Sequence, residues 1–356
     1  MAIFQQTRRK EKATVLILSV WALIFLSTLA IILGSVVSKE ISLVRRVETR
    51  NKIYDLLYSG VMAGQDIIIS CQEKDETPAV DSLNDFWADQ PGLFKDIKVD
   101  KGRVSIYYNY KNNITKKEDL RYGFVDEERK ININYASRET LKCLFSLLLD
   151  EEKAPLLAAA IEDWRDQDDI LYSNDAALSE RINYANSGYE YAPKNAPFRS
   201  LEELLLVKDV DAETFFNLRD YITVFGDGKV NINTAPLEVI ISLGMTGSLA
   251  DKIVYFRCGP DRIEGSWDDN YFTSLDTVID DLSLSNDISD EDKENFNQAL
   301  SAGSLDVKSS TFTAICEGRL ADSSLTGKIM CVFDKQGNTR YWSCKLTNIS
   351  GLGQYD

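Results

Sequence analysis

Polarity changes along this chain in blocks. The twenty-five residues from Ala13 to Val37 carry no charged side chain, and a helix needs only ~20 apolar residues to cross a bilayer. The run is also longer than the ~7–15 residues of a secretory signal's apolar core. Arg8, Arg9, Lys10 and Lys12 precede it, opposed by Glu11 alone, which favours a cytoplasmic N-terminus. Lys39, Arg45, Arg46 and Arg50 follow the span, so charge asymmetry is not decisive. Leu43, Val44, Val47, Ile53, Leu56, Leu57 and Val61 then recur mostly three and four apart among charged residues, with no proline before Pro78. This predicts an amphipathic helix continuing to about Cys71. Gly60 and Gly64 lie four apart on it and permit close backbone approach on one face; a simply tolerated pair is the alternative.

Beyond Pro78 the period shortens. KDIKVDKGRVSIYYNY reads as two short strands turned at Asp100-Lys101-Gly102, and Arg121 to Val125 is a candidate for another. TFTAICEGRL, GKIMCVFD and TRYWSCKL are three more β-rich runs near the C-terminus, with Gly337 in the turn between the last two. Residues 131–304 between these regions read as mostly helical. The economical arrangement is one sheet drawn from both ends with a helical domain inserted, because the termini of an inserted domain lie close together.

The helical region repeats itself. Ile131 to Leu141 matches Val230 to Ile240 at an offset of 99 residues, with five of eleven positions identical, so each segment reads as one copy of a duplicated unit. Each copy passes from a short extended piece into a helix. Asn and Ser or Thr offer capping oxygens, Pro236 suits a first turn, and Glu139 and Glu238 favour the positive helix end. Helix–turn–helix patterns follow in ETLKCLFSLLLDEEKAPLLAAAIEDWR and in LEVIISLGMTGSLADKIVYFR, the latter turning at Gly244 and Gly247. SLEELLLVKDVDAETFFNLRDYI, from Ser200 to Ile222, reads as a third pair.

A length of 356 residues suits about two domains. The net charge of −16 argues against nucleic-acid binding, since phosphate affinity comes mainly from Lys and Arg. The hairpins resemble helix-hairpin-helix modules, but the turns DEEK, VKDVDAE and GMTGS lack the basic residues a phosphate grip needs. The chain has no histidine, which excludes Ser-His-Asp and Cys-His catalysis and His-ligated zinc. Its cysteines, Cys71, Cys143, Cys258, Cys316, Cys331 and Cys344, form no CxxC. Cys316, Cys331 and Cys344 fall in neighbouring predicted strands, where pairing and simple burial are both open. Asp163, Asp166, Asp168 and Asp169 place four carboxylates in seven residues at a helix end, with Asp175, Glu180 and Glu190 downstream. Such a cluster suits a hard cation such as calcium, which takes 6–8 oxygens. A solvated acidic loop is the plain alternative, and the EF-hand order is absent.

Taken in order, the leader and span KEKATVLILSVWALIFLSTLA, then YSGVMAGQDIIIS, ININ-YAS, IEDWRDQDD, SGYEYAPKNAPFRSLEELLLVKDV and VNINTAPLEVI resemble the type II secretion minor pseudopilin K family of type IV pilin-like proteins over nearly the full length. The resemblance implies an α+β fold. A long N-terminal transmembrane and amphipathic helix would pack on a small antiparallel sheet, with a large inserted all-α domain containing helix-hairpin-helix-like repeats. The corresponding segments are a basic leader (1–13), the helix (14–75), a pilin-like head in two parts (76–130 and 305–356) and the inserted domain (131–304). The resemblance further implies cleavage by prepilin peptidase after Ala13, which stands where the family usually has Gly, so that Thr14 becomes the first residue. Alignment on Trp21 then puts Leu18 fifth, where most pilin-like subunits carry Glu and member K does not. It implies partnership with minor pseudopilins I and J at the pseudopilus tip, possible contact with secreted cargo, and an inner-membrane anchor with periplasmic domains. It implies calcium in the inserted domain, held by Asp166, Asp168, Asp169, Glu190 and Asp163. The competing expectation is a membrane-anchored module whose hairpins bind nucleic acid or another periplasmic ligand. An anchored hydrolase would require activity lost on substitution of Asp163 or Asp166.

Overall fold

The computed structural model describes residues 2–73, 80–170, 179–321 and 323–348. The side chains of residues 2–14, 71–73 and 348 also lie outside the description, and with them those of Ala13, Thr14 and Cys71. Contacts divide the chain into Met1–Asp55 and Leu56–Asp356. Helix α1 spans Ala2–Glu73. In the first unit it presents apolar side chains outward, Leu18 at 66% and Trp21 at 69% exposure. Its hydroxyls turn back on the helix: Ser19 Oγ donates to Leu16 O, Ser27 to Leu23 O, Thr28 Oγ1 to Phe25 O and Ser35 to Ile32 O. A surface with its polar groups satisfied internally is what a hydrocarbon environment requires. This helix is long and apolar enough to cross a membrane.

In the second unit α1 lies against a sheet. After it come α2 (Pro91–Phe94), β1 (Ile97–Val99), β2 (Gly102–Ile106), β3 (Tyr108–Lys111), β4 (Glu118–Arg121) and β5 (Val125–Asp126). The helical region follows: β6 (Ile131–Asn132), α3 (Arg138–Leu148), α4 (Lys153–Arg165), α5 (Glu180–Asn186), α6 (Ala212–Leu218), β7 (Ile222–Thr223), β8 (Val230–Asn231), α7 (Leu237–Ser242), α8 (Gly247–Arg257), α9 (Val278–Ser283), α10 (Asp290–Ser301) and β9 (Leu305–Asp306). The chain ends in β10 (Thr311–Leu320), β11 (Leu325–Asp334) and β12 (Thr339–Asn348).

Strands from both ends share one antiparallel sheet in the order β1-β2-β10-β11-β12, with β5 pairing the start of β10. The period of two puts Cys316 and Gly318 under the helix. A Cβ added at Gly60 would sit 2.8 Å from Val104 Cγ2, and one at Gly64 would sit 2.6 Å from Ile106 Cδ1. The close approach these glycines permit is therefore made to the chain's own sheet. KDIKVDKGRVSIYYNY holds three strands rather than two, and Arg121 to Val125 divides between β4 and β5. The reason is that β3 leaves the sheet to form a separate hairpin with β4. Among the described residues, Cys143, Cys258, Cys316 and Cys331 are free thiols. Cys316 and Cys344 flank the same residue, Ile329, from opposite sides. Two strand spacings of ~4.8 Å exceed the reach of a disulfide.

The helical region is built twice on one plan. Parallel pairs β6–β7 and β8–β9 close the two copies. Asn134 Nδ2 donates to Phe198 O at 3.0 Å and its Oδ1 accepts from Phe198 N at 2.8 Å; Asn233 and Phe272 repeat both bonds at the same distances. Arg165 donates to Ile133 O and Ala136 O, as Arg257 does to Ile232 O and Ala235 O. The two asparagines of each I/V-N-I-N segment thus tie strand to loop. Ser137 caps α3 through Thr140 N. Pro236 brings no side-chain cap to α7; Asn113 Oδ1, from the β3–β4 hairpin, accepts from Leu237 N at 3.0 Å instead. Gly247 opens α8 behind the cap Thr246, leaving Gly244 (φ 95°) in the turn. Ser200 to Ile222 departs from a helix pair. It forms a 3-10 turn over Leu201–Leu206, the short α6, and a first residue of β7, because pairing with β6 claims its end.

Candidate metal centre

The acidic run at the end of α4 is divided by the fold. Asp163 lies in the last turn of α4 and is buried; Asp166 is the C-cap. Glu180 opens α5 behind the cap Ser179, whose Oγ accepts from Ile182 N. One carboxylate oxygen from each of Asp163, Asp166 and Glu180 lies within 4.8 Å of the others. Glu180 is 0% exposed, and neither of its carboxylate oxygens has a hydrogen-bond partner among the described residues; Asp166 Oδ1 is likewise buried without one. Leaving a buried acceptor unsatisfied costs about 1–3 kcal/mol, more when charged. Burial pushes the Glu180 carboxyl up to about 8, and Asp166, Asp163, Asp169 and Asp168 add repulsion. Burial raises Asp166 as well, helped by Asp168 and Glu162.

The other carboxylates expected here do different work. Asp169 accepts from Ser179 Oγ at 2.7 Å and from Arg181 N at 3.2 Å, bonds that lower its pKa and anchor the start of α5. Asp168 Oδ1 accepts from Ile170 N at 2.9 Å, and its main-chain oxygen accepts from Asn195 Nδ2. Glu190 is exposed and stands outside the group of three. Asp175 lies outside the described residues. Glu180 was legible in one respect: a Ser before an acidic residue is a helix-start signal, which turns that acid back toward the end of α4. The aromatic wall beside it is also local, with Trp164 and Tyr184 centroids 6.2 Å apart and Trp164 stacked on Phe198 at 6.1 Å.

A second group of carboxylates gives the contrast. Asp261, Asp268 and Asp269 also converge, in the corresponding loop of the second copy. There Asp261 N and Ser266 Oγ serve Asp268, Gly265 N serves Asp269 at 2.6 Å and Ile263 N serves Asp261 at 2.7 Å. That group closes on its own backbone. The Asp163–Asp166–Glu180 group has the all-oxygen donors and the orphaned acceptors that a hard divalent cation would satisfy.

A family model described as type II secretion system (T2SS), protein K, matches residues 113–227, the stretch that includes β6, the first helical copy and the carboxylate group. No curated protein matches the sequence. Among solved structures, a chain in the crystal structure of the GspK-GspI-GspJ complex from the enterotoxigenic Escherichia coli type 2 secretion system shares the fold. The TM-score is 0.57 at 16% identity, over 85% of this chain and 99% of that one. Residues 113–227, set between the strands of one sheet, thus resemble the type II secretion system protein K family, and the chain as a whole shares the fold of that solved chain.

Proposed function

We propose that this chain is a non-enzymatic minor pseudopilin that caps the tip of the periplasmic pseudopilus together with minor pseudopilins I and J. The family match over residues 113–227 carries the reading. It is supported by the apolar first part of α1, which suits a single-pass inner-membrane anchor with a cytoplasmic N-terminus, and by Leu18. A neutral fifth residue after cleavage at Ala13 has no carboxylate to offer the N-terminus of a subunit above it, which suits the last position in a stack. Extracted from lipid, the apolar surface of α1 must be buried against other pseudopilin helices, so assembly and extraction are coupled. The helix pairs α3–α4 and α7–α8 act as helix-hairpin-helix-like packing modules that broaden the tip, where cargo contact would occur.

Calcium belongs to the same reading. Asp163, Asp166 and Glu180 would hold it, neutralising buried charge and tying the end of α4 to the start of α5. Two experiments test the proposal. Co-expression of the full chain with its cognate I and J subunits and a prepilin peptidase, followed by detergent extraction, is expected to yield one stoichiometric complex; three separate species would sink the assembly reading. Terbium, excited through the neighbouring aromatic side chains, is expected to give saturable emission that calcium displaces and that Glu180→Gln abolishes while Glu190→Gln does not. Emission indifferent to Glu180→Gln would remove the metal from the proposal.

A further inference from the structure

Four pieces of the second unit meet at the joint between β9 and β10. They are the segment around Asp81, the exit of β5 at Asp126 and Glu128, the start of the second copy at Asn231 and Thr234, and the joint itself, Ser309 to Thr311. Ser309 N donates to Asp81 Oδ2 at 2.8 Å and Ser309 Oγ to Asp126 Oδ2 at 2.7 Å. Ser310 Oγ donates to Glu128 Oε1 at 2.6 Å, and Thr311 N donates to Glu128 Oε2 at 3.0 Å. Thr234 Oγ1 donates to Asp126 as well, and Asn231 Nδ2 bridges Asp81 O and Ser309 Oγ. Asp81, Asp126 and Glu128 are 6%, 1% and 4% exposed.

Among the described residues the cation at this joint is Lys335, which binds both oxygens of Asp81 at 2.7 and 2.8 Å. The other charges nearby are already matched or turned away. Glu127 pairs with Lys130 at 2.7 Å and Asp306 with Lys229 at 3.3 Å. Arg129 faces the ring of Tyr110 at 5.0 Å and also attracts Asp126. Asp85 accepts from Ser82 N and Trp87 Nε1. Lys335 thus answers Asp81 and Arg129 acts on Asp126, which leaves Glu128 as the carboxylate with no cation of its own, and Glu128 N donating to Asp126 Oδ1 at 2.8 Å holds it beside Asp126.

We propose that the β9–β10 joint is a proton-operated latch between the second helical copy and the sheet, with Glu128 as the group that takes the proton. Protonated at Oε1, Glu128 donates to Ser310 Oγ, whose own hydrogen turns to Thr311 Oγ1 at 3.2 Å. Ionised, it faces Asp126 without a counter-charge, and Gly226 closes over it: a Cβ there would lie 2.8 Å from Oε1. Burial, then Asp126, pushes Glu128 up to about 8, and burial raises Asp126 too. A carboxyl whose folded value is raised holds its proton more tightly when closed than when open. The latch is therefore firmest below the ordinary Glu value of 4.5, weakens as pH rises through about 8, and stays weak above it.

Hydrogen exchange on the full chain in detergent, from pH 5 to 9, tests this. After correction for intrinsic exchange, protection of the amides of Asp81, Glu128, Ser309 and Thr311 is expected to fall more than about tenfold across the range, since one pKa unit corresponds to tenfold. In Glu128→Gln, the neutral isostere, it is expected to stay within about twofold. Ser310→Ala, at an exposed position, removes a hydrogen bond that lowers the Glu128 pKa and is expected to move the loss to higher pH. Protection flat with pH in the unaltered chain, an equal decline in Glu128→Gln, or an unmoved midpoint in Ser310→Ala would each overturn the proposal.

Discussion

Single side chains decide how the β3–β4 hairpin locks the second copy. Glu264 is 1% exposed and accepts from Tyr110 Oη at 2.6 Å, from Asn113 N and Nδ2, and from Arg257 Nη2 at 2.8 Å. Burial alone would raise its pKa, but Arg257, Tyr110 and Asn113 overcome that and hold it below the ordinary value. Arg257→Met would strand this carboxylate, and breaking a buried pair costs about 3–5 kcal/mol. Thermal unfolding should show a large loss for Arg257→Met and a much smaller one for Arg257→Met combined with Glu264→Gln; equal losses would mean that the ion pair is not the lock. Asn113→Ala removes both the cap on α7 and two donors to Glu264. Loss of a cap is worth about 0.5–2 kcal/mol, so the unfolding midpoint should drop by several degrees, whereas an exposed control such as Asn297→Ala should leave it in place.

At the scale of elements, the seat of α1 on the sheet rests on absent side chains. Gly64→Ala puts a methyl 2.6 Å from Ile106 Cδ1 and 2.9 Å from Phe124 Cζ, and overpacking of this kind costs about 1–3 kcal/mol. Gly34→Ala meets nothing within 4 Å and should leave unfolding of the second unit unchanged. If the two substitutions behave alike, helix propensity rather than the seat governs the effect. The element pattern was legible where period and capping were local. α1, the three C-terminal strands and the duplicated segments all follow from spacing. It failed where an element's fate depended on a distant partner. β3 looks like its neighbours in sequence but pairs with β4, and the end of Ser200 to Ile222 becomes a strand because β6 is there to receive it.

For the molecule as a whole, charge and processing are linked. Residues 1–13 hold four basic side chains and one acid, so cleavage after Ala13 would take the net charge from −16 to −19. Intact-mass analysis of the membrane-extracted chain, co-expressed with a prepilin peptidase, is expected to find Thr14 at the N-terminus. A chain retaining residues 1–13 would point to a plain anchor and weaken the assembly reading.

Sequence alone determined what local physics determines. A long uncharged run needs an apolar surrounding, a three-and-four period makes a helix face, and alternation makes a strand face. A repeated I/V-N-I-N segment marks a repeated strand-to-helix passage. It also placed Asp163 and Asp166 one turn apart at a helix end. Only the tertiary structure decided that Glu180 completes that group while Asp169 serves as an anchor and Glu190 stays in solvent. It alone capped α7 from Asn113 and set three carboxylates around the joint from Ser309 to Thr311. The physical reason is the same each time: a carboxylate or amide oxygen is satisfied by whichever donor folding brings within about 3 Å, and those donors lie anywhere from 10 residues away to more than 200.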